Sequence, residues 1–116
     1  MADRIVKSLV DVQVAIKLIN QFTVGVDEKS YAENDLVKSA VERQYLIIGE
    51  ALSRIRKDDL VVFMQVTDGQ KIVGFRNVLA HGYDAVDDAV SWDIIKNKLP
   101  MLSSDIQRLI SKVAAH

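Results

Sequence analysis

The stretch YAENDLVKSAVERQYLIIGEALSRIRK, residues 31–57, decides the fold because it holds the longest helical pattern in the chain. On a helical wheel its apolar side chains cover roughly half of the circumference. They are Leu36, Val37, Ala40, Val41, Ile47, Ile48, Ala51, Leu52 and Ile55. An apolar arc this wide indicates contact with more than one neighbour. We therefore expect a central helix over about 31–57.

A second helical pattern precedes this stretch. Ile5, Leu9, Val12, Ile16 and Ile19 follow one another in steps of four and three, the spacing of one helix face. This pattern predicts a first helix that fades near Phe22. The segment VGVDEKS, residues 24–30, is predicted to be a loop.

The segment after the central helix is ambiguous. LVVFMQV, residues 60–66, is rich enough in branched residues for a strand, but no other segment offers a partner strand. We favour a helical turn followed by a loop. Thr67 and Gln70 then form a capping-box pattern, which predicts a helix over 68–81 with Thr67 as its N-cap. Gly82 stands where a left-handed residue would end that helix.

The last part of the chain predicts one or two further helices. Asp87 can cap a helix that carries Val90, Ile94 and Ile95, and Pro100 is typical of the first turn of another. A single kinked helix is the alternative. Either way, the predicted class is all-α, an antiparallel bundle of four to five helices.

Composition limits the possible functions. A chain of 116 residues that is 49% hydrophobic is expected to form one domain, residues 1–116, with a core of its own. It has no cysteine, so disulfides, thiolate metal sites and thiol nucleophiles are excluded. Its two histidines are His81 and the last residue, His116, so we expect no metal site and no cofactor.

Charge and hydropathy bear on location and partners. The start, MADRIVKSLVD, has charges where a signal peptide needs an apolar core, and no apolar run reaches the length of a membrane span. We therefore expect a soluble, cytoplasmic protein without a membrane partner. The net charge is −1 and the pI about 6.1, unlike proteins that hold nucleic acid by bulk positive charge. Nucleic-acid binding would need a local patch, such as one built by two chains.

The segment GFRNVLAHGYD, residues 74–84, holds the candidate site. On a wheel Arg76 leaves the middle of an apolar face, flanked by Ile72 and Leu79 on one side and by Val73 and Ala80 on the other. A buried cation needs a partner or a wet cleft. Two interpretations are open: a salt bridge, with Glu50 as the leading candidate, or an arginine that binds a phosphate.

His81 stands at the C-terminus of the same predicted helix. An imidazole can give or take a proton near neutrality, but a lone histidine is also often structural or merely exposed. His81 points about 140° away from Arg76, so one helix cannot aim both at one small atom. Two antiparallel copies related by a twofold axis would bring two arginines and two histidines into one cleft.

Three segments together resemble the HEPN superfamily, and especially its HepT-type ribonuclease toxins. Arg76, four residues, His81, Gly82 and Tyr83 resemble the family signature. SAVERQYLIIGEA, residues 39–51, is similar to the family's long-helix segment, and SWDIIKNKLPML, residues 91–102, to its closing tryptophan and Leu-Pro pattern. The three segments occur in the family's order over most of the chain.

The resemblance implies a homodimeric, metal-independent endoribonuclease that cleaves RNA by attack of the 2′-hydroxyl. In that scheme His81 acts as general base or acid and Arg76 holds the phosphate. Asn77 would orient the imidazole or contact RNA, or is simply a surface amide. Arg43 and Glu50 would line the cleft or pair with each other, and we favour their pairing.

Tyr83 has two interpretations. A phenol stays protonated at neutral pH, which argues for packing beside the cleft rather than catalysis. The resemblance implies that a partner nucleotidyltransferase antitoxin attaches AMP to Tyr83 and so blocks RNA. Two alternatives to the toxin remain: a non-catalytic RNA- or protein-binding subunit associated with a nucleotidyltransferase, and a plain bundle in which Arg76 pairs with Glu50.

Overall fold

The computed structural model describes residues 2–81 and 87–115. These residues form helices and connecting turns, with no strand among them. The α-helices are α1 (Ala2–Phe22), α2 (Glu28–Glu33), α3 (Asp35–Asp58), α4 (Leu60–Met64), α5 (Gly69–Ala80), α6 (Asp88–Asp93) and α7 (Leu99–Ala114), and a π-helical turn (Ile94–Lys98) joins the last two. The predicted all-α class is confirmed.

The long helices α1, α3 and α5 pack antiparallel to their neighbours. The start of α1 lies against the end of α3, where Arg4 Nε is 2.9 Å from Asp58 Oδ2. The start of α5 also lies near the end of α3, where Arg56 donates to Gln70 Oε1 at 2.8 Å. With the run from α6 to α7 as the fourth member, the described residues form the predicted antiparallel bundle.

The core lies between α1, α3 and α7. Their apolar stripes meet there, and the largest fully buried aliphatic side chains come from these helices: Leu9, Ile19, Ile48, Leu52, Ile55, Leu99, Leu102, Ile106 and Leu109. Helix α5 packs on the side of α3 and covers less of it, with Val73 as its buried apolar residue. The candidate site therefore lies on a helix at the edge of the bundle.

The first helix ends at Phe22, as predicted, but the central helix begins later than predicted. The side chain of Asn34 accepts a hydrogen bond from the Val37 N–H at 3.0 Å and starts α3 at Asp35. Tyr31 belongs to α2 instead. The predicted loop 24–30 also ends early, because Asp27 and Ser30 cap each other's backbone and start α2. Both caps are short side chains within a polar run, which periodicity does not detect.

The prediction of a helical turn over part of 60–66 is confirmed by α4. The prediction of Thr67 as the N-cap of α5 is wrong. Asp68 takes that position with a left-handed φ of 58°, and its side chain does not cap the helix. The Thr67 N–H donates to Asp105 Oδ2 at 2.8 Å, so a buried carboxylate of α7 organises this turn.

For the end of the chain, the sequence predicted either two separate helices or one kinked helix, and the structure combines both. Asp87 caps α6 by accepting from the Ala89 N–H at 2.8 Å, and Pro100 lies in the first turn of α7, both as predicted. Helical backbone nevertheless continues through the π-helical turn, in which the Leu99 N–H donates to the Ile94 carbonyl five residues earlier. Because Pro100 has no N–H and its ring crowds the preceding turn, a locally wider helix accommodates it. None of the described helices combines the length and apolar character that a membrane span requires.

Candidate functional site

The site begins with close packing of α5 on α3. Gly49 on α3 faces Arg76 on α5, and a Cβ built on Gly49 would overlap Arg76 Cβ and Cγ. The missing side chain at Gly49 therefore lets the base of the Arg76 side chain lie directly on the α3 backbone. The predicted orientation of Arg76 toward the interior face of its helix agrees with this contact.

The guanidinium of Arg76 lies at the edge of this contact. Its Nη2 donates to Glu50 Oε1 at 3.3 Å, and its Nη1 donates to Asn77 Oδ1 at 3.1 Å. The Arg76 side chain is 29% exposed and that of Glu50 is 52% exposed. Among the described residues, the buried Nε of Arg76 has no hydrogen-bond partner. Arg76 is thus a partly desolvated cation with one anionic partner and spare donor capacity.

His81 is the C-cap of α5 and is exposed. Its backbone N–H donates to the Asn77 carbonyl at 3.2 Å, which ends the helix. By helix geometry the side chain of His81 lies about 40° from that of Asn77 and about 140° from that of Arg76. Asn77 therefore connects the two, since it hydrogen-bonds Arg76 and lies on the side of α5 where His81 follows.

Arg43 is exposed on α3, seven residues before Glu50. The favoured pairing of Arg43 with Glu50 is wrong: among the ion pairs of the described residues, Glu50 is bound by Arg76 instead. The reason is distance, because seven residues along a helix place the two backbones about 10 Å apart. The predicted Arg76–Glu50 salt bridge does form.

Tyr83 and Gly82 lie outside the described residues. The helix that follows them is held by a buried tyrosine of α3. The hydroxyl of Tyr45 donates to the Ser91 carbonyl at 2.7 Å, and its ring meets that of Phe75 edge-on at a centroid distance of 5.4 Å. Burial raises the pKa of Tyr45 above its ordinary value. Tyr45 thereby links α5, next to Arg76, to the start of α6.

A second buried tyrosine, Tyr31, holds α6 against α2. The hydroxyls of Tyr31 and Ser91 are 2.6 Å apart, and the ring of Tyr31 packs on that of Trp92 at 5.4 Å. Burial raises the pKa of Tyr31 above its ordinary value. Trp92 is itself buried.

The start of α5 is fixed by a separate ion pair. Lys98 Nζ, in the π-helical turn, donates to Asp68 Oδ2 at 2.9 Å. This hydrogen bond lowers the pKa of Asp68 and raises that of Lys98. Together with Gly49 and Tyr45, these residues set the position of α5, a role that no pattern in the sequence had predicted. An isolated glycine inside a strong helical pattern was the one available signal.

Within the described part of the chain, no group of three or more histidine, cysteine, aspartate or glutamate side chains is placed to hold a metal ion. The electrostatic character of the site instead comes from Arg76, Glu50 and the exposed cation Arg43. An arginine with open donors is suited to binding an anion, and an exposed imidazole is suited to transferring a proton.

Comparison with known proteins gives relatives that match over nearly their whole length. A protein of Methanocaldococcus jannaschii named "Putative RNase MJ1380" is 32% identical over 108 residues, which are 92% of this chain and 98% of the relative. A protein of Thermococcus cleftensis named "Probable ribonuclease HepT" is 30% identical over 101 residues, 87% of this chain and 91% of the relative. No solved structure matches significantly.

A family model described as "Ribonuclease HepT-like" matches residues 12–109. This range runs from the first helix to the last and contains all three segments on which the resemblance rests. The chain belongs to the HepT-like ribonuclease family of the HEPN superfamily.

Proposed function

We propose that this protein is a metal-independent endoribonuclease toxin that acts as a homodimer and is neutralised by a nucleotidyltransferase antitoxin. Membership of a ribonuclease family and relatives named as RNases support the reaction class. The observation that carries the assignment to a site is the arrangement on α5. There Nη1 and Nη2 of Arg76 each have a further N–H besides the one that binds Asn77 or Glu50, and Asn77 joins Arg76 to the turn that bears His81.

The proposed reaction is an internal transfer within RNA. The 2′-oxygen attacks the neighbouring phosphorus, and the bond from phosphorus to the 5′-oxygen breaks. The 2′-hydroxyl gives its proton to a base, and the 5′-oxygen receives a proton from an acid. The products are a 2′,3′-cyclic phosphate and a 5′-hydroxyl end. His81 serves as base or acid, a role that typically contributes about 10²–10⁴-fold.

Arg76 binds the phosphate on which negative charge builds during the attack. A guanidinium that is partly desolvated stabilises such charge more strongly than one in bulk water. Its ion pair with Glu50 aims the guanidinium before RNA arrives. Asn77 supports the same orientation from its own helix, and Arg43 supplies positive charge for the RNA backbone.

Two chains are needed because of the direction of the side chains on α5. Arg76 and His81 diverge by about 140° and are about 7.5 Å apart along the helix axis. One chain therefore does not aim both groups at one phosphate. A homodimer supplies a second set of both residues and completes the cleft.

Regulation is assigned to Tyr83, two residues after His81. In this proposal the antitoxin transfers AMP from ATP to the tyrosine oxygen and releases pyrophosphate. The added phosphate carries negative charge beside the RNA-binding groups and repels the substrate. The modified toxin is inactive as long as the AMP stays attached.

A second candidate function is a non-catalytic binding subunit associated with a nucleotidyltransferase. The Arg76–Glu50 ion pair favours it, because a cation that is already paired can serve architecture alone. The mild net acidity of the chain also fits a protein partner better than an RNA partner. In that case Arg76→Ala harms folding or dimerisation, and no RNA cleavage is lost.

The test is cleavage of RNA at neutral pH in EDTA by protein purified without antitoxin and shown by mass to carry unmodified Tyr83. We expect cleavage by the wild type, loss of cleavage in His81→Ala, and 2′,3′-cyclic phosphate ends on the products. Asn20→Ala, an exposed change on α1, is the control and should cleave normally. Equal failure of the wild type and His81→Ala would overturn the enzyme and leave the binding subunit.

A further inference from the structure

We propose that the groove between α5 and α6 binds a guanine base of the RNA substrate, next to the phosphate that is cleaved. The groove is lined by α5, α6 and the π-helical turn and contains a cavity of about 330 Å³. Cavities that bind small ligands commonly measure about 300–1,000 Å³. The inference rests on the function proposed above and names the part of the substrate that this groove recognises.

Most of the groove is lined by apolar side chains that solvent can reach. Val78 on α5 and Val90 on α6 line the cavity and are 41% and 46% exposed. Phe75 and Ile94 also line it and are half-buried. The Phe75 ring is held in place by Tyr45, whose ring centroid is 5.4 Å away. A fixed aromatic ring among aliphatic side chains is suited to the flat face of a base, because bases stack on aromatic side chains.

Four charged side chains line the same cavity, and two of them pair with each other. Lys98 Nζ donates to Asp68 Oδ2 at 2.9 Å, so these two charges largely cancel. Lys71 Nζ is 3.9 Å from Asp68 Oδ1, and its side chain is 80% exposed. The charges that the groove offers to a ligand are therefore the Lys71 ammonium, which suits a phosphate, and the Asp93 carboxylate, which suits N–H donors.

The Asp93 carboxylate is oriented by its own helical segment. It is exposed, and among the side-chain hydrogen bonds of the described residues it takes part in one, in which Asn97 Nδ2 donates to Oδ1. A carboxylate has about four acceptor sites on its two oxygens, so both oxygens of Asp93 can still accept from a ligand. Asn97 thereby holds the carboxylate in one orientation without using up its capacity.

A carboxylate in this position distinguishes between the four bases. Carboxylates recognise bases by accepting hydrogen bonds from their N–H groups. Guanine presents N1–H and N2–H side by side, which match the two carboxylate oxygens. In adenine and cytosine the amino group stands beside the lone pair of a ring nitrogen, and in uracil N3–H lies between two carbonyl oxygens. Those lone pairs repel the Asp93 carboxylate, so the groove selects guanine.

The groove runs along α5 toward the candidate site. Val78 lies three residues before His81, so it is about 4.5 Å away along the helix axis and about 60° around it. Lys71 lies ten residues before His81, about 15 Å away along the same axis. An RNA strand whose reacting phosphate lies beside His81 can therefore place the neighbouring base on Val78 and Phe75 and continue toward the cation of Lys71.

Titration of single nucleotides tests the groove without any ribonuclease assay. GMP, AMP, CMP and UMP are each added to the full chain, and the methyl signals of Val78, Val90 and Ile94 are followed by NMR. We expect GMP to shift these signals and to bind on the order of tenfold more tightly than UMP. Asp93→Asn should weaken GMP binding by a similar factor. Glu33→Gln, a carboxylate-to-amide change on exposed α2, is the matched control and should bind GMP normally.

Absence of binding at millimolar GMP, or binding that leaves the three methyl signals unmoved, would overturn the guanine site. Equal GMP affinities of Asp93→Asn and Glu33→Gln would also overturn it. Val90→Phe fills the cavity and should abolish GMP binding, with folding verified by circular dichroism. If Val90→Phe still binds GMP and instead changes the oligomeric state, the groove is a contact between chains and not a base site.

Mapping of cleavage sites on RNA of mixed sequence tests the same groove in the reaction. We expect the wild type to cleave next to guanosine, and Asp93→Asn to lose this preference on the order of tenfold, measured as the ratio of kcat/KM for guanosine and uridine sites. Cleavage that does not depend on the base, or an unchanged preference in Asp93→Asn, would contradict the proposal. A wild type that binds GMP in the groove but cleaves no RNA would overturn the proposed function instead.

Discussion

Gly49 and Arg76 lie in direct contact where α5 packs on α3, and a side chain at Gly49 would occupy the space of Arg76 Cβ and Cγ. The contact brings the two helices close and directs the arginine stem toward Glu50. Because Cβ is fixed to the backbone, no change of rotamer can relieve an overlap there. The position of the guanidinium therefore depends on a residue that has no side chain.

Gly49→Ala is expected to destabilise the protein by about 1–3 kcal/mol, the usual cost of overpacking. Alanine is the better helix former, so the backbone effect alone would act in the opposite direction. Movement of α5 away from α3 should also lower RNA cleavage. Urea unfolding gives the free energy of unfolding, and a cleavage assay gives the activity.

Gly74→Ala is the matched control because a Cβ there meets no atom within 4 Å. Residue 74 lies inside α5, so the higher helix propensity of alanine should stabilise the Gly74→Ala protein by up to about 1 kcal/mol. Equal stability of the two variants would contradict the close packing at Gly49.

The long helices were predictable because their apolar spacing reflects burial on one face. Helix ends were less predictable, since they depend on single caps such as Asn34 and on tertiary partners such as Asp105 for the Thr67 N–H. Nothing near Thr67 in the sequence indicates a carboxylate on α7. The capping-box pattern there was outweighed by that longer-range hydrogen bond.

For the candidate site, the sequence predicted the directions of the side chains correctly but not the distances between them. A wheel shows that Arg76 faces a neighbouring helix, and it suggested Glu50 as the partner, which the structure bears out. A wheel also aligns Arg43 with Glu50, but it does not show the distance of about 10 Å along the helix axis that separates them. The predicted pairing of Arg43 with Glu50 was wrong for that reason. The close approach at Gly49 depends on the separation of two helix axes, which no single-helix pattern contains.

The Arg76–Glu50 ion pair should contribute modestly to stability. Both side chains retain solvent contact, 29% for Arg76 and 52% for Glu50, so we expect a coupling energy of about 0.5–1 kcal/mol. A double-mutant cycle with Arg76→Gln and Glu50→Gln measures it by chemical unfolding.

The same two variants should differ in how strongly they lower RNA cleavage. Arg76→Gln is expected to lower cleavage by about 10²–10³-fold, because it removes charge stabilisation of the reacting phosphate. Glu50→Gln keeps a hydrogen-bond acceptor for Arg76 and should lose less. If both changes lower cleavage equally while the dimer stays intact, Arg76 does not act on the phosphate by itself.

Asp68 should show a stability effect that depends on both conformation and charge. Its left-handed φ of 58° is tolerated better by asparagine than by alanine, so Asp68→Asn should be more stable than Asp68→Ala. The hydrogen bond from Lys98 lowers the pKa of Asp68, so folding favours the ionised carboxyl. That contribution is present above the unfolded pKa and is lost as the pH falls through the folded one.

Urea midpoints at pH 7 and pH 3 test this dependence. At pH 7 the urea midpoint of the wild type should be higher than that of Asp68→Asn. The difference between the two midpoints should shrink below about pH 4, where the carboxyl becomes protonated. A difference that stays constant between the two pH values would show that Lys98 does not act on Asp68 by charge.

Tyr45 should make the fold sensitive to alkaline pH. Burial raises the pKa of its hydroxyl, so the folded state disfavours the phenolate that the unfolded chain forms above about pH 10. The contribution of the Tyr45 hydroxyl to the free energy of unfolding is therefore complete below about pH 10 and is lost as the pH rises further. Tyr45→Phe removes the titrating group and leaves the edge-on contact with Phe75 in place.

We expect Tyr45→Phe to cost about 1 kcal/mol at pH 7, since the Ser91 carbonyl loses a donor but still accepts from the backbone of α6. Above pH 10 the wild type should lose stability faster than Tyr45→Phe, so the difference between them narrows. Thermal unfolding followed across pH 8–11 measures both curves, and parallel curves would mean that the Tyr45 hydroxyl is not buried as described. A fall in cleavage by Tyr45→Phe at pH 7, with the dimer intact, would follow from its link between α5 and the start of α6.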